Sequence, residues 1–211
     1  MFYGHIGVAL ASKPLIPKIS LGLLLVAVTF LDILAGLFSL IGIEYTNVDG
    51  ISVIPWSHGL MMSVIWSLMV SGIAYLTSGN WKTGLALGLL VFSHWLLDFI
   101  SHPMGMGKPL PKDLPLLFNG SPKVGLGLYS TVAGAMITEF ALLIAGSVIY
   151  IVKTGAKDRI GKWSLLALFL FLALMPLMMM LPQRLIFLMS FILLLFLPIG
   201  HWIERHRRVV I

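Results

Sequence analysis

The stretch SHWLLDFISH places His94, Asp98 and His102 four residues apart. Each step of four along an α-helix turns by only about 40°, so the three side chains share one face. Imidazole and carboxylate together are a ligand set for zinc, manganese or iron. Ser93 and Ser101 extend the polar strip. Three more ionisable residues stand in apolar surroundings: Asp32 in VTFLDILAG, His58 in PWSHGL and Glu139 in MITEFALL. An ionisable group at the centre of a membrane helix costs roughly 2.5–3.5 kcal/mol on insertion scales, so each needs a compensating partner. A shared metal ion is one partner. The alternatives are helix–helix hydrogen bonds for the SHWLLDFISH face, a protonated or hydroxyl-bonded Asp32, a helix-start His58 behind a Ser57 cap, and a protonated packing role for Glu139. In a hydrolytic site, Glu139 or His102 would move the proton.

These residues need helices in a bilayer to hold them. Hydrophobic residues make up 59% of the 211 and charged residues 10%, with a mean hydropathy of +1.02. That composition excludes an ordinary soluble domain. The chain reads as one all-α domain, 1–211, a polytopic transmembrane helix bundle. About six spans are predicted, at roughly 20–43, 58–78, 83–101, 127–152, 163–182 and 184–203. Cysteine is absent, which excludes disulfides and thiolate metal sites. The net charge of +6 does not point to nucleic acid, because the basic residues sit where membrane topology accounts for them.

With both termini inside, the inner segments hold Lys13, Lys18, Lys82, Lys153, Lys157, Arg159, Lys162, Arg205, Arg207 and Arg208. The outer segments hold only Lys108, Lys112, Lys123 and Arg184. The bias predicts a multi-pass inner-membrane protein with a cytoplasmic C-terminus. Trp56, Trp81, Trp163 and Trp202 fall at predicted helix ends, as in an aromatic belt. By depth, His94, Asp98, His102 and His58 lie in the outer half of the bundle, with Asp32 and Glu139 near mid-depth. They can converge beneath the outer loop 103–126, whose prolines and glycines forbid a regular helix. His5, in FYGHIGVALASK, reaches the same place only if residues 2–16 form a re-entrant segment or an extra half-span. His201, His206 and the neighbouring arginines read as a solvated basic end. Gly84 and Gly88 read as a close helix approach, and Met61, Met62 and Met178–Met180 as adaptable packing.

An early HxGxA, an Asp within the first strong span, a Ser-His opening the next, and HxxxD on a later helix resemble the membrane-bound metal-dependent hydrolase family. FYGHIGVALASK, PWSHGLMM, SHWLLDFISH and SPKVGLGLY look most like an uncharacterised inner-membrane branch of it. The His and Asp order is also similar, more distantly, to zinc-dependent phospholipase C. The resemblance covers residues 2–140. It implies His5, Asp32, His58, His94 and Asp98 as the metal-binding set, holding a divalent ion, zinc first, and a lipid or lipid-like ester as substrate, phosphoester before carboxylic. The sequence departs from the family's fuller first-span and HRGxTHS motifs at Asp32 and at VIPWSHGL, which implies a reduced ligand set. Two other classes stay open at this point: a proton-coupled transporter titrating Asp32 and Glu139, and a non-catalytic or haem-binding membrane subunit using His58 and His94. The oligomeric state is not legible.

Overall fold

The structure is a computed structural model, and the residues described are 1–47, 52–118, 120–178 and 188–210. The architecture is all-α, with helices α1 Tyr3–Ser12, α2 Leu21–Val28, α3 Phe30–Leu40, α4 Pro55–His58, α5 Leu60–Ser78, α6 Trp81–Ser101, α7 Val132–Lys153, α8 Ser164–Met178, α9 Leu188–Leu193 and α10 Phe196–His206. Among the described residues, α5, α6, α7 and the stretch Leu188–His206 are each long and apolar enough to cross a membrane. The pair α2 and α3 makes a fifth candidate, bent by 57°. The expected span 163–182 is represented by the shorter apolar helix α8, and residues 179–187, including Arg184, lie outside the described residues.

The predicted continuous first span is in fact broken at Thr29. The Thr29 hydroxyl donates to the Leu25 carbonyl at 2.9 Å, the back-bonding by which Ser and Thr bend helices. The break has two consequences for chemistry. Asp32, expected at the middle of a span, sits in the first turn of α3, where the helix dipole favours a carboxylate. The Val28 carbonyl, at the end of α2, becomes available to a side chain.

Residues 3–12 form a short helix of their own, outside the six expected stretches, and it carries His5. Helix α1 is buried in the bundle, with Gly4, His5, Ile6, Gly7, Ala9 and Leu10 all inaccessible. It lies directly against α7: a Cβ on Gly7 would meet the Leu142 carbonyl oxygen at 2.2 Å, and one on Gly146 would meet the Gly7 carbonyl oxygen at 2.0 Å. Two facing glycines let the backbones touch, as small residues do between membrane helices. Gly84 and Gly88 serve the same purpose within the chain. They bring α6 onto α5, where added Cβ atoms would meet the carbonyls of Ser71 and Ser67 at 2.6 and 2.8 Å.

Three short antiparallel pairs tie the helix ends. Tyr45–Thr46 (β1) pairs with Ser52–Val53 (β2), Leu114–Pro115 (β3) with Lys123–Val124 (β4), and Thr154–Ala156 (β5) with Arg207–Val209 (β6). The β3–β4 pair organises loop 103–126 over one end of the bundle, and β5–β6 closes the opposite end. The core runs through α1, α2 and α6, with Ile6, Leu10, Leu21, Leu24, Leu25, Val28 and Val91 fully buried. Large apolar side chains on α5 and α7, such as Leu68, Leu76, Ile137 and Val152, are exposed, as helices bordered by lipid require.

Candidate metal centre

Four ligand-type atoms converge between α3, α4 and α6. His58 Nε2 lies 3.2 Å from His94 Nε2, 3.5 Å from Asp32 Oδ1 and 3.5 Å from Asp98 Oδ2. His94 Nε2 lies 3.6 Å from Asp32 Oδ1 and 3.2 Å from Asp98 Oδ2. Ligands bound to one tetrahedral zinc at about 2.0–2.1 Å stand about 3.3 Å apart, so these separations suit an ion held by the two imidazoles and a carboxylate. Among the described residues, the ligand-type atoms form two overlapping sets, His5–His94–Asp98 and Asp32–His58–His94.

Both imidazoles are held in one tautomer. His94 Nδ1 lies 2.6 Å from the Val28 carbonyl oxygen, which only accepts, so Nδ1 carries the proton. His58 Nδ1 lies 2.7 Å from Ser57 Oγ, and the Ser57 hydroxyl donates to Glu44 Oε2 at 2.7 Å. The single hydroxyl proton is committed to the carboxylate, so His58 Nδ1 donates to Ser57 Oγ. In the neutral rings both Nε2 atoms then present lone pairs to each other at 3.2 Å, with two carboxylates alongside. Such a cluster demands a cation, either a proton on one ring or a metal ion.

Glu44 lies in the segment just after α3 and belongs to no motif in the sequence. It is 1% exposed, and its Oε1 also accepts from the backbone N–H groups of Trp56 and Ser57 at 2.7 and 2.8 Å. Burial pushes its carboxyl above the usual range, against the opposing pull of the Ser57 hydrogen bonds. It acts as the outer support of His58. Of the two readings of PWSHGL, the helix-start alternative is corrected here. Ser57 does not cap the long helix, and His58 is not in its first turn. His58 ends its own short turn, α4, and Gly59 begins α5 in an extended conformation. Loop 103–126 packs onto this junction, with the Leu116 carbonyl accepting from Met61 N at 3.1 Å.

His5 stacks face to face on His94, ring centroids 3.8 Å apart and planes within 8°. Its Nε2 lies 3.4 Å from Asp98 Oδ1, and among the described residues neither ring nitrogen makes a hydrogen bond although the residue is fully buried. The Met1 amine lies 2.7 Å from the same Asp98 oxygen. Asp98 thus turns one oxygen toward His5 and the other toward His58 and His94. Asp32 is the most open of the group, its side chain 34% exposed.

The two residues expected to move protons are placed differently. His102, capping α6 one turn beyond Asp98, pairs through Nδ1 with Asp113 Oδ1 at 2.9 Å, both residues buried. Asp113 belongs to loop 103–126 and carried no sequence signal beyond its charge. Both oxygens of Glu139 accept from the backbone N–H groups of Phe2 and Gly4, at 2.8 and 2.7 Å, at the start of α1. That carboxylate satisfies the orphan donors of a helix N-terminus and so fixes the helix that carries His5. Tyr129, just before α7, is 1% exposed, and its hydroxyl makes no hydrogen bond among the described residues. Burial first, then the Glu139 carboxylate, pushes its phenol upward.

Set against protein families, curated proteins and solved structures, the chain matches none.

Proposed function

We propose that this chain is a membrane-embedded, metal-dependent hydrolase acting on a lipid or lipid-like ester, with a phosphoester the first choice. The observation that carries the reading is the pair of Nδ1-protonated imidazoles, His58 and His94, facing each other through Nε2 beside Asp32 and Asp98. Two imidazoles with carboxylates fit zinc, with manganese or iron as alternatives. His58, His94, Asp98 and Asp32 would hold the ion, and His5 would complete the second set with Asp98 and His94. A divalent ion bound there polarises a substrate oxygen and brings the pKa of water to about 7.

The remaining work falls to the protein. Asp113 holds His102 with its proton on Nδ1, leaving Nε2 as an acceptor. His102 takes the proton of the attacking water and returns it to the alcohol oxygen as the ester bond breaks, while Asp113 stabilises the imidazolium between the two transfers. Glu139 holds α1, and with it His5, in place. Exposed Lys108, Lys112 and Lys123 on loop 103–126 attract an anionic headgroup toward Asp32, the open side of the centre.

Elemental analysis of the purified protein, before and after soaking in zinc, manganese or iron, tests the first step. We expect a transition metal that Asp98→Asn and His94→Ala fail to retain. A protein that holds none and acquires none at neutral pH ends the proposal. The second step is hydrolysis of phospholipid and carboxylic-ester probes. His102→Ala is expected to lower turnover by about 10²–10⁴-fold, the usual weight of general acid–base catalysis, with the metal content unchanged.

A further inference from the structure

At the end of the bundle opposite the metal centre, a cavity of about 340 Å³ is lined by Lys13, Tyr150, Lys157, Glu204, Arg207 and Arg208, among others. It is assembled from three chain reversals: the exit of α1, the β5 turn after α7, and the strand β6 after α10. Four cations meet a single carboxylate there. Lys13 and Arg207 are only 5% and 8% exposed; Arg207 thus departs from the expected solvated basic end, in which His201, Arg205 and Arg208 are exposed. Lys13 is fixed by the carbonyls of Pro17 and Ile19 and by an ion pair with Glu204. Arg207 donates to the Gly161 and Thr154 carbonyls and to Thr154 Oγ1, with its guanidinium over the Tyr150 ring.

The Glu204 carboxylate neutralises Lys13, whereas the carbonyl and hydroxyl acceptors of Arg207 hold its charge in place without neutralising it. Lys157 spends one donor on the Glu204 carbonyl at 2.7 Å, and two of its three ammonium protons stay free. Arg208 is exposed and has no side-chain hydrogen bond or ion pair among the described residues. Buried cations in excess of carboxylates are costly unless an anion joins them. The cavity lies at the low end of the size range of ligand sites, about 300–1,000 Å³. Its surroundings favour a lipid over a free ion: Leu15, Ile160, Trp163, Trp202 and Val210, at the same end, are all exposed. Exposed tryptophans of this kind mark headgroup depth.

We propose that this cavity binds the anionic phosphate headgroup of a membrane phospholipid, through Lys157, Arg208 and the one remaining guanidinium N–H of Arg207. The site is separate from the metal centre and does not depend on the hydrolase reading.

The test follows the unfolding midpoint of the full chain in neutral detergent. Phosphatidylglycerol, phosphatidylcholine and inorganic phosphate are added in separate arms. Phosphatidylglycerol is expected to raise the midpoint in a saturable way, with apparent affinity at least tenfold weaker in Lys157→Gln/Arg208→Gln. Phosphatidylcholine should produce no comparable rise, and Lys108→Gln/Lys112→Gln on the opposite loop should leave the response intact. The proposal is overturned if phosphatidylcholine does as well, if the loop variant loses the response equally, or if the cavity variant keeps it. Inorganic phosphate reproducing the whole effect would also overturn the assignment to lipid. Arg208→Gln alone, at an exposed side chain with no hydrogen bond or ion pair among the described residues, serves if the double variant does not accumulate; it too should weaken binding, and wild-type affinity in it counts against the site.

Discussion

Ser57 joins two residues that no spacing rule connects. Its hydroxyl donates to Glu44 and accepts from His58, which leaves His58 Nε2 unprotonated and aimed at His94. Outer partners of this kind are typically worth 10–100-fold in metal affinity. Ser57→Ala is therefore expected to weaken metal binding by about that factor while α4 and α5 remain in place. Circular dichroism and metal titration together check this: an unchanged affinity would remove Ser57 from the centre. The SHWLLDFISH face was legible because i, i+4 geometry is local. Glu44 and Asp113 were not, because their partners Ser57 and His102 lie 13 and 11 residues away across turns, and one short-range pattern cannot report such a contact.

At the scale of elements, the two devices that build the centre are a broken helix and a half-helix. The break at Thr29 moves Asp32 to a helix start and frees the Val28 carbonyl for His94. The seating of α1 against α7 brings in His5, and it depends on Gly7 meeting Gly146. A valine at either position would drive backbones apart. Gly146→Val is expected to cost about 1–3 kcal/mol, as overpacking does, and to disturb the His5–Asp98 side of the centre before the His58 side. Thermal unfolding and metal content measured on the same preparation check both parts. A separate prediction concerns the β5–β6 end. Asp158 Oδ2 lies 2.7 Å from His206 Nδ1, and this contact first, then the Gly161 N–H, holds its carboxyl below the usual range. A lowered folded-state pKa contributes stability above the ordinary value of 3.8 and loses it as pH falls through the folded value. Acid should thus loosen this end below about pH 4, and Asp158→Asn should flatten that part of the pH–stability profile.

For the whole molecule, buried histidines and carboxylates gather between helices that are otherwise apolar, and a bound ion would link α3, α4 and α6, with α1 beside them. An ion that binds only the folded chain stabilises it by about 2.7 kcal/mol at a free concentration one hundred times its Kd. Chelation is therefore expected to lower the unfolding midpoint of the wild type, and to leave Asp98→Asn unaffected. A wild-type midpoint indifferent to chelator and to added metal would mean that the cluster is satisfied by a proton.

Composition and the long apolar runs were enough to establish an all-α chain with helices able to cross a membrane, because a bilayer demands local backbone satisfaction and local apolarity. The register of His94 and Asp98 followed from helix geometry alone, whereas His102 is the extended cap beyond the last turn of α6. Which ionisable groups meet was decided only in three dimensions. Glu139 and Asp98 looked alike in the sequence, each an acid in an apolar helix, yet one accepts from the start of α1 and the other turns toward two imidazoles. Hydrophobic periodicity reports how a residue is buried but not which neighbour it is buried against, and that neighbour sets what an acid in hydrocarbon does.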